Sequence, residues 1–297
     1  MLDSGQVDFY REHGYLMVPD LLDAAELAEV RREAERIVAG AQGVAADNEV
    51  YDFEDSHRPE RPRVRRIKEP HAASPVFARL LRHPRLLSVY AALLGPDVRL
   101  KTSKLNMKAA EYGAPVEWHQ DWAFYPHTND DLLALGLMLD DVDDENGPLL
   151  VIPGSHRGPT FDHHSNGVFC GAMDIAAAAI DPAQAVRLTG RAGSASVHHV
   201  RLVHGSDLNR TPRPRRLLFY EMAAADAWPL CGTTTKFTEL EAFDAKIVAG
   251  TPTTLPRMRD IPIRIPLPKH DLSSIYNAQK QAGSRFFSRY AQETNGR

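Results

Sequence analysis

The sequence is short of several things, and each shortage excludes something. Only two cysteines, Cys170 and Cys231, occur in 297 residues, so at most one disulfide can form and no disulfide framework holds the fold. Long hydrophobic runs are missing: the longest, over 132–139, falls far below the ~18 residues that a membrane-spanning helix needs. The opening Met1-Leu2-Asp3-Ser4-Gly5-Gln6 has neither the basic nor the apolar stretch of a secretory leader. A reducing, cytoplasmic setting without a membrane partner is the expectation. An excess of one charge sign is missing too. The 35 basic and 39 acidic residues leave a net charge of −4, which argues against nucleic acid as the main partner. With 43% hydrophobic and 25% charged residues, the composition is that of a globular chain. Length alone permits one large domain or two small ones. What stands out as plentiful is histidine, at 13 residues.

The first forty residues read as a strand followed by a helix. Asp23 and Glu26 have capping-box spacing, Leu27, Val30, Ala34, Ile37 and Val38 recur at helical period, and Gly40 closes the run. Residues 41–68 are polar and rich in Pro and Arg; they read as loop, with the basic stretch 61–66 as a solvated part of it. A second helical stretch runs from Ser74-Pro75 to Leu94, broken at Pro84 and stopped by Gly95-Pro96. From Val98 to Met222 the character changes to short strands, at 98–108, 115–122, 132–140, 148–152, 193–204 and 215–222. Gly, Pro, Asn and Asp separate them, as in an antiparallel sandwich or barrel. The stretch 156–192 is a long insertion with little strand character, a length typical of lids and binding loops. From 272 a helical pattern returns. Its apolar stripe of Ile275, Ala278, Ala282, Phe286 and Tyr290 reads as core packing or an oligomer contact, such as a homodimer, ahead of a ligand site. No linker divides the chain, so one domain over 1–297 is expected: a helical flank 1–97, a β core 98–223 holding the insertion, and a flank 224–297.

Three elements carry chemistry. In Trp118-His119-Gln120-Asp121, a strand would project His119 and Asp121 to one face, where imidazole and carboxylate suit a divalent metal. A hydrogen-bonded His–Asp pair is the plainer reading, because one His-x-Asp is unremarkable in a chain with 13 histidines. In Val197-His198-His199-Val200-Arg201-Leu202-Val203-His204, His204 ends an apolar run and could complete a metal site or sit as a satisfied core histidine. His198 and His199 compete for that role. Third, Arg215 follows His204 by eleven residues across a Pro212–Pro214 turn. Turned inward, its guanidinium would need an anion, and a carboxylate fits its fork best. Two histidines and a carboxylate on one face of a metal form the facial set of non-haem iron(II) oxygenases. The acidic run 140–145 lacks the alternation of a calcium loop and reads as a solvated turn. His156 reads as a structural hydrogen bond at its turn. Trp122, Phe124, Tyr125 and His127 lie where a substrate could meet them, or are packing.

With these elements in order, the sequence resembles the phytanoyl-CoA dioxygenase family of iron(II)- and 2-oxoglutarate-dependent oxygenases. The resemblance runs through Phe9-Tyr10-Arg11-Glu12-His13-Gly14-Tyr15, Arg66-Ile67-Lys68-Glu69-Pro70-His71, Trp118-His119-Gln120-Asp121, Asn146-Gly147-Pro148 to Pro153-Gly154-Ser155-His156, and His204-Gly205-Ser206 followed by Arg215. It implies a mainly β fold, a double-stranded β-helix (a cupin-like jelly-roll) with flanking helices. It implies metal ligation by His119, Asp121 and His204. Arg215 matches the residue that grips the far carboxylate of 2-oxoglutarate, and Ser206 its small polar neighbour. Lys68 matches a lysine near the co-substrate. Lys104 and Leu137 fall at positions lining the same pocket, where better-known members often carry methionine and tryptophan; Leu137 in place of a larger ring would leave more room. A carboxylate at Asp121, where halogenating relatives carry a small residue, favours hydroxylation, desaturation or ring closure of a C–H bond, using dioxygen and releasing succinate and CO2. The substrate is expected to be a free small metabolite, since nothing resembles a coenzyme-A site. A non-catalytic cupin-like binding barrel and a metal-dependent isomerase or hydrolase are the rival readings.

Overall fold

A computed structural model describes residues 2–110, 113–231, 239–269 and 274–287. The chain opens with α1 (Ser4–His13), β1 (Tyr15–Val18) and α2 (Ala24–Ala39). The capping box holds as expected: the Asp23 carboxylate accepts from the Ala25 and Glu26 amides, and Glu26 accepts in return from the Asp23 amide at 2.8 Å. Leu27, Val30, Ala34 and Ile37 form the buried face of α2. The stretch 41–68 is more than loop, because it contains β2 (Tyr51–Phe53) and β3 (Val64–Lys68). Short helices α3 (Pro70–Ala73), α4 (Pro75–Leu80) and α5 (Pro84–Leu94) follow, with the break at Pro84 where the missing N–H suits a helix start.

Strands β4 (Val98–Lys108), β5 (Val116–His119), β6 (Leu132–Met138) and β7 (Leu149–Val151) come next, then a hairpin of β8 (His164–Ser165) and β9 (Val168–Phe169). The insertion ends in β10 (Val186–Leu188), which pairs with β7. The run 193–204 divides into β11 (Ala195–His199) and β12 (His204–Ser206), and β13 (Arg215–Ala224) completes the core. Beyond it lie α6 (Leu240–Asp244), β14 (Ile247–Ala249) and α7 (Ile275–Gln279). No helix among the described residues is long and apolar enough to cross a membrane.

The strands form a large antiparallel sheet in the order β1-β11-β6-β13-β4-β3-β2, with β14 also on β4, and a small one in the order β10-β7-β12-β5. This is the double-stranded β-helix expected, with one difference: the N-terminal flank supplies β1, β2 and β3 to the large sheet as well as helices. Along β6 and β13 the faces alternate. Leu133, Leu135, Leu137, Leu218, Tyr220 and Met222 join one cluster with Val30, Ala34, Phe77 and Leu86, so the helices cover the outer face of the large sheet. Ala134, Met138, Leu217 and Phe219 form a second cluster on the inner face. Between that face and the small sheet lies a cavity of about 50 Å³.

The tail is attached to this cavity. Phe287 packs on Trp118 with ring centroids 5.3 Å apart, as core packing predicts, but Ile275 and Tyr276 line the cavity itself. Tyr290 lies outside the described residues.

Candidate metal centre and its cavity

His119 ends β5 and His204 opens β12, and the two are direct partners across those strands, with ring centroids 4.0 Å apart. Asp121 arrives by another route than the strand alternation expected for it. The strand stops at His119 and Asp121 begins a 3-10 turn, Asp121–Ala123, so the turn brings the carboxylate back to the imidazoles. One ligand atom from each of His119, Asp121 and His204 lies within 4.8 Å of the others, and all three residues are buried. Each histidine is oriented from behind. His119 Nδ1 is 2.8 Å from the Glu117 carbonyl oxygen, and His204 Nδ1 is 2.9 Å from that of Leu202. Donating that N–H selects the tautomer whose Nε2 carries a free lone pair. Burial lowers the His119 pKa to about 4 and pushes His204 well below 6.5, so both rings are neutral at pH 7, as ligation demands. Burial alone would raise Asp121, but the hydrogen bond from His198, the neighbouring imidazoles and the Lys104 ammonium hold it well below 3.8. The chemistry of this donor set, two neutral imidazoles and one carboxylate converging from one side, fits iron(II) with open positions.

Gln120 ties the turn to its surroundings. Its side chain donates to the Pro159 and Arg201 carbonyls at 3.1 and 2.8 Å and accepts from the Phe161 amide at 2.9 Å. Its backbone amide donates to His163 Nε2 at 2.8 Å. The first part of the 156–192 insertion therefore supports the metal turn from behind.

Arg215 opens β13 directly opposite Lys108 on β4. Of the four arginines between 210 and 216, Arg210, Arg213 and Arg216 pair with Asp207, Asp143 and Asp140; Arg215 turns inward. It is 2% exposed, donates from Nη2 to the Gly147 carbonyl, and keeps a buried Nε without a hydrogen-bond partner among the described residues. No carboxylate among the described residues forms an ion pair with it. Burial lowers its pKa to about 10. Lys108 donates from Nζ to the carbonyls of Ala114 and Asp207, and burial followed by the Arg215 charge pushes it well below 10.5. Two cations face each other here, and among the described residues no carboxylate forms an ion pair with either. Ser206 lines the same cavity.

Of the residues singled out from sequence, His119, Asp121, His204, Ser206, Arg215 and Lys104 line this one cavity. Two do not. Lys68 lies opposite Lys104 on the same face, but its ammonium is 3.0 Å from Asp52 at the sheet edge. Leu137 points away, into the helix-covered core. The inward position is Gly136, beside which Phe219 fills the space: a Cβ there would meet the ring at 2.6 Å. The reading of extra room at Leu137 is thus corrected. The stretch 61–66 is also corrected in part, since Arg65 is buried near Glu54 and Arg66 pairs with Asp52. The plain readings of His156 and of the acidic run hold: His156 Nε2 is 3.0 Å from the Arg11 carbonyl, and Asp143 caps the amides of Glu145 and Asn146.

Sequence reasoning missed Lys108, Asn106, Glu221 and Lys101. Counting by twos from Lys104 and from Arg215 would have found the first three. Lys101 could not be found that way, because a bulge shifts the register: Glu221 pairs with Thr102 and Met222 with Leu100. The extra residue is Lys101, re-aimed towards Glu221.

Comparison with known proteins agrees with this geometry. The family model described as phytanoyl-CoA dioxygenase (PhyH) matches residues 10–217. A Stutzerimonas stutzeri protein named "Probable alpha-ketoglutarate-dependent hypophosphite dioxygenase" is 40% identical over 263 residues, covering 87% of this chain and 90% of that protein. An ectoine dioxygenase of Sphingopyxis alaskensis is 30% identical over 239 residues, 73% of this chain and 74% of that protein. The crystal structure of EctD from S. alaskensis with 2-oxoglutarate and 5-hydroxyectoine superposes with a TM-score of 0.66 at 28% identity, over 90% of this chain and 89% of that one.

Proposed function

The chain belongs to the phytanoyl-CoA dioxygenase family, and from that membership we propose how its cavity divides the work. It is an iron(II)- and 2-oxoglutarate-dependent dioxygenase. In our reading His119, Asp121 and His204 hold the iron, and Arg215 with Ser206 receives the far carboxylate of 2-oxoglutarate. One domain over 1–297 carries the activity, with the 156–192 insertion bracing the metal turn. When bound, iron, 2-oxoglutarate and dioxygen together supply the oxidant for hydroxylation, with succinate and CO2 released.

The observation that carries this division is the buried guanidinium of Arg215. A cation 2% exposed and, among the described residues, without an ion-pair partner is costly unless an anion arrives, and its fork suits a carboxylate. The protein's own groups then act by position. The Glu117 and Leu202 carbonyls hold the two imidazoles in the ligating tautomer, the Gln120 contacts hold the turn that presents Asp121, and the sheets exclude bulk water.

The substrate is a free small metabolite. Hypophosphite and ectoine, named for the relatives, are both small and carrier-free. Hypophosphite bears P–H rather than C–H bonds, so the bond attacked need not be to carbon. Succinate production, followed under iron(II), 2-oxoglutarate and dioxygen with hypophosphite, ectoine and further small metabolites, tests the assignment. Turnover that disappears in His119→Ala together with iron binding is expected. Absence of 2-oxoglutarate binding to the metal-loaded protein, or iron binding retained in His119→Ala, would overturn it.

A further inference from the structure

The inward-facing residues of β13 run from Arg215 through Leu217 and Phe219 to Glu221. Six residues at ~3.3 Å each place the two ends about 20 Å apart. The metal centre lies towards the Glu221 side, because Lys104, which pairs opposite Phe219, is the ammonium that acts on Asp121. With Arg215 committed to the co-substrate, the charged cluster at the far end is left for something else.

That cluster is built, and its charges do not cancel. Glu221 is 3% exposed, and its two oxygens bind Lys101 Nζ at 3.1 Å and Lys104 Nζ at 2.6 Å. The bulge at Lys101 puts this second ammonium beside the carboxylate, 3.5 Å above the Tyr125 ring centroid. Lys104 retains 27% of its side-chain surface open on a residue that lines the cavity. Across from it stands His198, 2% exposed and also lining the cavity. Its Nε2 is 3.4 Å from Asp121 Oδ2, while its buried Nδ1 has no hydrogen-bond partner among the described residues.

The balance of charge states what is missing. A divalent metal offsets a dianionic 2-oxoglutarate, and Arg215 offsets Asp121. Lys101 and Lys104 against Glu221 leave one positive charge, and whatever charge Lys108 keeps has the same sign. A buried net charge without a counterion is unfavourable.

We infer that the substrate of this enzyme is a small monoanion, an oxyanion or carboxylate, received by Lys104 and His198 on the side of the metal away from Arg215. Lys101 and Glu221 position Lys104 without touching the ligand. This deepens the proposed function and rests on it, so the test separates the two.

The experiment is calorimetric titration of the Mn(II)-loaded protein, saturated with 2-oxoglutarate and without oxygen, with sodium hypophosphite and sodium acetate as the oxyanion and carboxylate arms and ectoine as a zwitterion. At least one monoanion is expected to bind more tightly than ectoine. Lys104→Met should weaken it by about tenfold or more, as loss of a hydrogen bond to a charged group does, and by more than it weakens 2-oxoglutarate. Lys104→Arg, which keeps the charge, should restore binding and guards against a folding defect. If neither anion binds, or if Lys104→Met binds them as the wild type does, the inference is overturned while the dioxygenase assignment stands. If 2-oxoglutarate itself fails to bind the Mn(II) form, the proposed function fails instead.

Discussion

Replacing Arg215 by methionine should have two effects of opposite sign. Burial brings the guanidinium from 12.5 to about 10; at ~1.4 kcal/mol per pH unit the charged group is held at a cost of about 3 kcal/mol. Methionine removes that cost and loses one hydrogen bond from a charged donor, to the Gly147 carbonyl, of about 2 kcal/mol. Packing changes little, because the side chain borders a cavity. The ligand-free variant should therefore be more stable by about 1 kcal/mol, a rise in Tm of roughly 1–2 °C for a chain of this size. The response to co-substrate should go the other way. The wild type with Mn(II) and 2-oxoglutarate at about 100 times its Kd gains ~2.7 kcal/mol, and Arg215→Met should gain almost nothing. Thermal melts of both proteins, with and without 2-oxoglutarate, measure all four values. A variant less stable than the wild type without ligand, or equally stabilised by 2-oxoglutarate, would refute the claim that this is a buried cation awaiting a carboxylate.

Three other expectations are open to measurement. Burial lowers His119 and His127 to about 4 and His163 and His199 to about 3, and holds His204 well below 6.5. In the unfolded chain each would protonate near 6.5, so their contribution is complete above that pH. It is lost as pH falls, by up to ~1.4 kcal/mol per pH unit for each histidine. Tm should drop steeply between about pH 6.5 and 5, and a flat profile there contradicts the burial of neutral rings. Gln120→Ala removes three side-chain hydrogen bonds and should cost about 3 kcal/mol. Because these bonds hold the turn that carries Asp121, Fe(II) affinity should fall by ~10–100-fold; metal titration on the folded variant decides it. Gly136→Ala drives a Cβ to 2.6 Å from the Phe219 ring, at a cost of about 1–3 kcal/mol. Because Phe219 lines the cavity, steady-state kinetics should show KM for substrate rising while 2-oxoglutarate affinity holds.

Legibility followed the strength of local signals. The capping box at Asp23, the helix start at Pro84 and the strand Val98–Lys108 were readable because caps, prolines and alternation act within a few residues. Strands β2 and β3 were not, since a polar, Arg-rich segment becomes a strand only when Asp52 and Glu54 are there to meet Arg66 and Arg65. Lys68 was placed on the right face but not in the cavity, because Asp52 claims its ammonium. Leu137 failed for a different reason. Strand β6 is buried on both faces, so its composition carries no alternation to say which side looks inward, and a slip of one residue exchanges the faces.

By itself the sequence determined the chemical inventory: two imidazoles and a carboxylate, an arginine eleven residues past the second histidine, and a run of short strands to carry them. Tertiary structure decided how that inventory is used. Residues 83 positions apart, Asp121 and His204, meet because β5 pairs with β12. Asp121 is turned inward by a 3-10 turn rather than by a strand. Lys101 reaches Glu221 because a bulge shifts the register. Arg215 became a buried cation with no ion pair among the described residues, while Arg210, Arg213 and Arg216 found carboxylates. The physical reason is common to all four. Residue type sets what a group can bind, but burial, register and partner supply set whether it must, and these exist only after distant strands have paired.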